Sequence, residues 1–157
     1  DIQAIDCSSI EEYINNGVVP VISPLSASAN GQLLNINADT VAAALAAALH
    51  AEKLILATGA PGILEDIRDP RSLVSYLDLA GLQKLREQGA LADGMLPKAK
   101  AIEAAINGGV QRVHVISYAL PDSLLLEVFT NEGTGTLIVK CIEVLSAAEQ
   151  ASIEIAD

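Results

Sequence analysis

The chain has 157 residues, of which 51% are apolar but only 3% aromatic, and its formal net charge at pH 7 is −11. This length suits one domain. Because aromatic residues are so few, its core must be built from Ala, Val, Ile and Leu. Nine basic residues against twenty acidic ones do not supply the clustered positive charge that nucleic acid requires, so we expect no nucleic-acid partner. An anionic ligand would have to be held locally, by a few lysines, helix N-termini or a metal ion.

The two cysteines, Cys7 and Cys141, fit neither a disulfide framework nor a zinc pattern. No apolar run approaches the ~20 residues that a membrane helix needs, and no signal peptide is visible. We therefore expect a cytoplasmic protein without a membrane partner, and we assign no residue to a protein-bound metal site. The chain begins without a methionine, which is compatible with a fragment of a longer protein.

The first third of the chain predicts a helix, a strand, a hairpin and a second helix. A short surface helix is expected over residues 10–17, and Val18–Ser23 has the pattern of a strand buried on both faces. Asn30-Gly31 predicts a hairpin turn within the segment Pro24–Asn37. The Ala-rich helix from Ala38 to about His50 carries larger apolar residues at four-residue spacing.

The rest of the chain alternates strands with helices. Strands are predicted at Leu54–Ala57, Leu73–Tyr76 (a short edge strand), Val113–Ile116 and Thr136–Val139, and helices at 79–88, 97–107 and Pro121–Phe129. This alternation predicts an α/β fold with an open, mostly parallel sheet and helices on both faces. We assign residues 1–139 to one α/β domain and residues 140–157 to a C-terminal tail that is expected to be helical.

Two helix starts carry opposite charges. Asp39 lies in the first turn of one helix, and Lys98 follows Pro97 at the start of another. Taken alone, Asp39 is an ordinary first-turn acid favoured by the helix dipole, and Lys98 is an ordinary solvated lysine. Ligands bind at the carboxyl ends of strands in such sheets, so the two side chains could converge there on a phosphorylated ligand.

Two further segments carry polar or glycine-rich chemistry near predicted strand ends. Asn35 and Asn37 alternate along an extended segment and would point the same way. The loop Thr58-Gly59-Ala60-Pro61-Gly62 contains two glycines but lacks the Gly-Lys-Ser/Thr ending of a Walker loop. Met95 could pad a flat ring or serve as plain core.

In combination, these segments resemble the amino-acid kinase family. The likeness is carried by Asn35–Asp39, Leu54–Leu64, Gly94–Lys98 and Leu124–Thr136, and it covers roughly residues 10 to 139. Each motif is weak alone and specific only together with the others. Within the family, the chain is most similar to members that phosphorylate an acetylated amino acid.

The resemblance implies ATP-dependent phosphorylation of the side-chain carboxylate of N-acetylglutamate, a step of arginine biosynthesis, with Mg²⁺ accompanying the nucleotide. It implies that Asn35 contacts the substrate, that Asp39 orients the lysines around the transferring phosphoryl group, and that Lys98 stabilises negative charge in the transition state. The residues implied to bind the nucleotide are Thr58, Gly59, Ala60, Pro61, Gly62, Ile63, Leu64, Ala90, Leu91, Ala92 and Met95.

The likeness is to the C-terminal half of such enzymes. The family places a glycine-rich phosphate loop, a second catalytic lysine and a substrate-binding arginine in a preceding half, so we expect this chain to be inactive alone. Gly59 stands where the family usually has an aspartate, and Asp122 where arginine-inhibited members usually have a histidine. Family members form dimers and hexamers, which leaves a homo-oligomer open.

Two alternatives stay open beside the kinase. The chain could be a noncatalytic module of the same fold that senses a nucleotide or arginine, which the glycine at position 59 would suit. It could also belong to a kinase of a related acylated amino acid such as aminoadipate, or to a carbamate or uridylate kinase relative.

Overall fold

The computed structural model describes residues 2–91, 94–130 and 133–141. The helices are α1 (Ser8–Asn15), α2 (Ala38–Ala48), α3 (Leu79–Glu87), α4 (Met95–Asn107) and α5 (Ser123–Phe129). The strands are β1 (Leu25–Ala27), β2 (Leu33–Asn35), β3 (Lys53–Thr58), β4 (Tyr76–Asp78), β5 (Arg112–Ser117) and β6 (Thr136–Val139). In these ranges no helix combines the length and apolar character needed to cross a bilayer. Most of the tail predicted over 140–157 lies outside them.

The main sheet has four strands in the order β3-β5-β6-β4. The β3–β5 and β4–β6 pairs are parallel and the β5–β6 pair is antiparallel, so the predicted mostly parallel sheet is confirmed. The antiparallel step follows α5, which has seven residues and extends only about 10 Å. Such a helix is too short to carry the chain back along β5, which is roughly 20 Å long.

Helices cover both faces of the sheet, as the alternation predicts. Val113 and Val115 of β5 are fully buried in a core shared with α2 and α4. His114, between them, points to the opposite face and contacts Glu127 of α5. Small side chains let α2 and α4 pack closely against each other. The buried alanines of these two helices are Ala43, Ala46, Ala99, Ala101 and Ala105.

The apolar run Val18–Ser23 forms no strand, and this prediction is wrong. Val19 is 84% exposed and Val21 is 96% exposed. An apolar run becomes a buried strand only where other elements cover it, and the described part of the chain supplies no cover. The hairpin that follows is confirmed, since β1 and β2 pair antiparallel. Gly31, with φ of 82°, takes the left-handed conformation that the turn needs.

Two other boundaries differ from the sequence prediction. The edge strand β4 begins only at Tyr76, and Leu73 forms an isolated bridge with Leu64 instead. Helix α4 begins at Met95, so Pro97 lies within its first turn, where the missing N–H costs no intrahelical hydrogen bond. Asp78 ends β4 and caps α3, because its side chain accepts from the N–H of Gly81.

A buried His–Glu pair fastens α5 to the sheet. His114 Nδ1 lies 2.7 Å from Glu127 Oε1, and both side chains are more than nine-tenths buried. His114 Nε2 is buried without a partner among the described residues. A proton there would be an unsatisfied donor, so we assign the proton to Nδ1, which donates to Glu127.

Glu127 also holds the turn that leads into β6. Its Oε2 accepts from the backbone N–H of Thr134 at 2.7 Å. Burial raises the pKa of Glu127, but hydrogen bonds from His114 and from the backbone N–H groups of Thr134 and Gly135 outweigh burial, so the pKa lies below its ordinary value of 4.5. The ionised carboxylate therefore stabilises the folded state.

We predict that Glu127→Gln lowers the free energy of unfolding at neutral pH by about 2 kcal/mol, the scale of a lost charged hydrogen bond. The stabilisation by an acid whose pKa is lowered on folding is present above its unfolded pKa and is lost as the pH falls through the folded pKa. Urea unfolding from about pH 6 to about pH 3 should therefore show a steeper loss of stability for wild type than for Glu127→Gln. Glu12→Gln, on the exposed surface of α1, is the control. Parallel pH profiles for wild type and Glu127→Gln would contradict this role.

Candidate functional site

An ion pair joins the first turns of α2 and α4. Lys98 Nζ lies 2.9 Å from Asp39 Oδ1, and the exposed fractions of the two side chains are 9% and 26%. Asn37 caps α2 by accepting from the N–H of Thr40, which fixes the turn that carries Asp39. The convergence of Asp39 and Lys98 predicted from the sequence is thus found in the structure. Their chemical roles stay predictions.

This arrangement suits an anionic ligand. A lysine ammonium has three donors, and Asp39 accepts from one of them. The carboxylate holds the ammonium in one place beside two helix N-termini, whose partial positive charge also favours anions. A charge fixed in this way can stabilise a phosphate without reorganising as the ligand binds.

An apolar pocket that opens to solvent lies at the first turn of α4, the same turn that carries Lys98. It is bounded by the loop after β3, the segment after α3 and the first turn of α4, where Met95 lies about one helical turn before Lys98. The lining residues are Ala60, Gly62, Ile63, Leu64, Ile67, Ala90, Leu91 and Met95. All but Ile67 belong to the set that the family resemblance implies for nucleotide binding.

The remaining predicted site residues differ in their relation to this pocket. Thr58 ends β3 and is paired with Ser117 at the end of β5, while Gly59 and Pro61 are exposed next to lining residues. Ala92 lies outside the described residues. Asn35 is exposed at the end of β2, two residues before the cap of α2 and hence near the start of that helix.

Two residues that shape the pocket were missed by sequence reasoning. Ile67 is the one apolar side chain in the polar turn of residues 66–69, and this contrast was the only sign in the sequence that it could line a pocket. Thr136 is fully buried at the start of β6, and its Oγ1 accepts from the N–H of Ile63 at 2.8 Å. A Cβ on Gly62 would lie 2.7 Å from both Thr136 Oγ1 and Leu73 Cδ1, so only glycine lets the loop approach β6 this closely.

Metal ligands do not cluster in the described ranges: no three His, Cys, Asp or Glu side chains there lie close enough together to hold an ion. The candidate site that the structure describes consists of an apolar pocket and a lysine–carboxylate pair, both of which include residues from the first turn of α4.

The family model described as "Amino acid kinase family" matches residues 1–117. This chain belongs to the amino acid kinase family. It is 49% identical over 140 residues to a Myxococcus xanthus protein named acetylglutamate kinase, which covers 89% of this chain and 46% of the relative. For the protein of that name from Methanosarcina mazei the identity is 48% over 136 residues, or 87% of this chain and 47% of the relative. The chain spans about half the length of these relatives.

Two solved structures illustrate the similarity of fold. N-acetylglutamate synthase from Neisseria gonorrhoeae, complexed with coenzyme A and L-arginine, superposes with a TM-score of 0.82 at 31% identity over 90% of this chain and 32% of that one. Carbamate kinase from Giardia lamblia bound to AMP-PNP gives a TM-score of 0.67 at 20% identity over 88% of this chain and 45% of that one. At that identity the carbamate kinase supports the fold alone.

We predict that Asp39 and Lys98 are energetically coupled in the folded protein. A double-mutant cycle with Asp39→Asn and Lys98→Met, measured by urea unfolding, should give a coupling energy of about 1–2 kcal/mol because the lysine is buried and its neighbour partly so. The exposed pair Asp66–Arg68 is the matched control and should show almost no coupling. Equal coupling in the two cycles would contradict a fixed Asp39–Lys98 contact.

Proposed function

We propose that this chain is the nucleotide-binding C-terminal half of an acetylglutamate kinase. The whole enzyme would transfer the terminal phosphoryl group of ATP to the side-chain carboxylate of N-acetylglutamate, in arginine biosynthesis in the cytoplasm. The observation that carries the proposal is that one helical turn, the first of α4, supplies both a residue of an apolar pocket and a buried, carboxylate-bound lysine. The names of the relatives at 49% and 48% identity supply the substrate.

The apolar lining of the pocket suits the base of a nucleotide. Its walls are aliphatic, apart from the Met95 thioether, which suits the flat faces of adenine. A base in the pocket lets the phosphates extend past the start of α4 towards Lys98, where backbone N–H groups and the helix dipole favour negative charge. The lining loop is held in place by the bond between Ile63 and Thr136.

The ion pair fits phosphoryl transfer, in which positioning and charge neutralisation account for most of the catalysis. We assign Lys98 to the charge that develops on the transferring phosphoryl group and Asp39 to fixing the position of the lysine ammonium. Asn35 would contact the acetylated amino acid from the end of β2. Mg²⁺ would neutralise phosphate charge and be coordinated largely by phosphate oxygens and water, as is usual for that ion.

The rest of the enzyme would complete the substrate site. Val19, Val21 and Leu33 are between 70% and 96% exposed, as expected of an apolar surface that contacts another polypeptide segment. We infer that the remaining half of the enzyme covers this surface. The isolated chain would then bind a nucleotide weakly and would not turn over. The choice between N-acetylglutamate and another acylated amino acid would rest largely on that half.

To test the catalytic assignment, this chain is fused to the part of the Myxococcus xanthus relative that it does not match. The rate of acyl phosphate formation is then measured by trapping the product with hydroxylamine. Lys98→Ala should lower kcat by about 10²–10³-fold, since an electrostatic contact to the transition state is lost. Lys100→Ala, an exposed position on the same helix, should leave kcat near the wild-type value. A near-normal kcat for Lys98→Ala would remove Lys98 from this role.

A separate test addresses the pocket. Ala90→Leu should fill part of the pocket and weaken ADP binding by the chain at least about tenfold, because the added side chain occupies the space assigned to the base. Isothermal titration calorimetry measures the affinity, and thermal unfolding checks that the fold survives. Ala80→Leu, at an exposed position of α3, is the matched control. Unchanged affinity in Ala90→Leu would place the base elsewhere.

A second candidate function is a noncatalytic sensor of arginine. It is favoured by the similarity, at 31% identity, to an N-acetylglutamate synthase crystallised with L-arginine, and by Gly59, which lacks the carboxylate usual in the family. The same calorimeter distinguishes the two functions. Binding of L-arginine without binding of ADP would favour the sensor, and the reverse result would favour the kinase.

A further inference from the structure

Tyr118 lies immediately after β5, beside the loop that forms one side of the apolar pocket. Its backbone N–H donates to the carbonyl oxygen of Thr58 at 2.9 Å. Thr58 is the last residue of β3, and Gly59 follows it. The hydrogen bond therefore fixes the backbone of Tyr118 next to the first residue of the pocket loop.

The tip of the phenol fills the space over Gly59. A Cβ at position 59 would lie 3.0 Å from Tyr118 Oη and 3.5 Å from Cζ. Gly59 is not among the residues with positive φ, so its backbone conformation does not require glycine. What the missing side chain at position 59 provides is room for the Tyr118 hydroxyl.

Burial does not explain this placement, because Tyr118 is 73% exposed. Ala60, the neighbour of Gly59, lines the apolar pocket. The hydroxyl thus lies beside the loop that lines the pocket, on the rim formed by the carboxyl ends of the parallel β3–β5 pair, where ligands of α/β sheets bind. An aromatic residue with an apolar ring and a polar tip, exposed at such a rim, is available to a ligand.

We propose that Tyr118 is a nucleotide-binding residue, whose hydroxyl forms a hydrogen bond with the ribose or phosphate oxygens of a nucleotide with its base in the apolar pocket. This inference rests on the proposed function. A phenol can donate and accept a hydrogen bond. The family usually has an anionic aspartate at position 59. In this chain the space beside Gly59 holds the Tyr118 hydroxyl, a neutral donor that does not repel phosphate.

The first part of the test removes only the hydroxyl. ADP is titrated into the wild-type chain and into Tyr118→Phe by isothermal titration calorimetry, and the variant should bind roughly fivefold more weakly, as expected for one lost hydrogen bond. Tyr13→Phe, on α1 and also exposed, should bind like wild type. Equal affinities of Tyr118→Phe and wild type would overturn the inference and leave the proposed function standing. A wild-type chain that binds no ADP would overturn both.

The second part uses Gly59. Because an exposed phenol can move aside, Gly59→Ala should keep the thermal stability of wild type but displace the hydroxyl, so its affinity for ADP should fall about as far as that of Tyr118→Phe. The double variant should then lose little more than either single one, because both changes remove the same contact. If the losses of ADP affinity were fully additive, the two residues would act separately. That result would overturn the inference that the hydroxyl contacts the nucleotide from its place over the pocket loop.

Discussion

The Asp39–Lys98 ion pair is the interaction on which the rest of the site depends. A buried ammonium without a counter-charge would be costly, so the lysine can occupy this place only because α2 brings a carboxylate to it. The two residues are 59 positions apart in sequence. Their contact requires that α2 and α4 pack closely on one face of the sheet, which the buried alanines of both helices allow.

The two faces of β5 serve different purposes. On one face, Val113 and Val115 support the helices that carry the ion pair and part of the pocket. On the other face, His114 and Glu127 hold α5 and the turn into β6. Because Thr136 at the start of β6 anchors the pocket loop through Ile63, the polar pair on the far face also helps to position the pocket. The stability of the fold and the geometry of the pocket thus depend on the same strand.

In the enzyme that we propose, the site is half of a larger one. The side proposed to bind the nucleotide is formed by residues within this chain, whereas large apolar side chains of the run Val18–Ser23 and of the hairpin after it are exposed in the described ranges. Relatives about twice as long provide a reason for such a surface. A chemistry that depends on bringing two substrates into line suits an active site divided between two halves.

The sequence by itself determined the family and most of the local structure. The alternation of strands and helices and the hairpin at Asn30-Gly31 were predictable, because periodicity and turn chemistry report on near neighbours. The family resemblance also named all but one of the residues that line the pocket. Only the tertiary structure decided the antiparallel direction of β6, the exposure of Val18–Ser23, and the places of Ile67, Thr136 and Tyr118 beside the pocket. These features depend on which distant surfaces meet. A local pattern records that a side chain favours burial or a hydrogen bond, and only long-range packing decides what covers it or bonds to it.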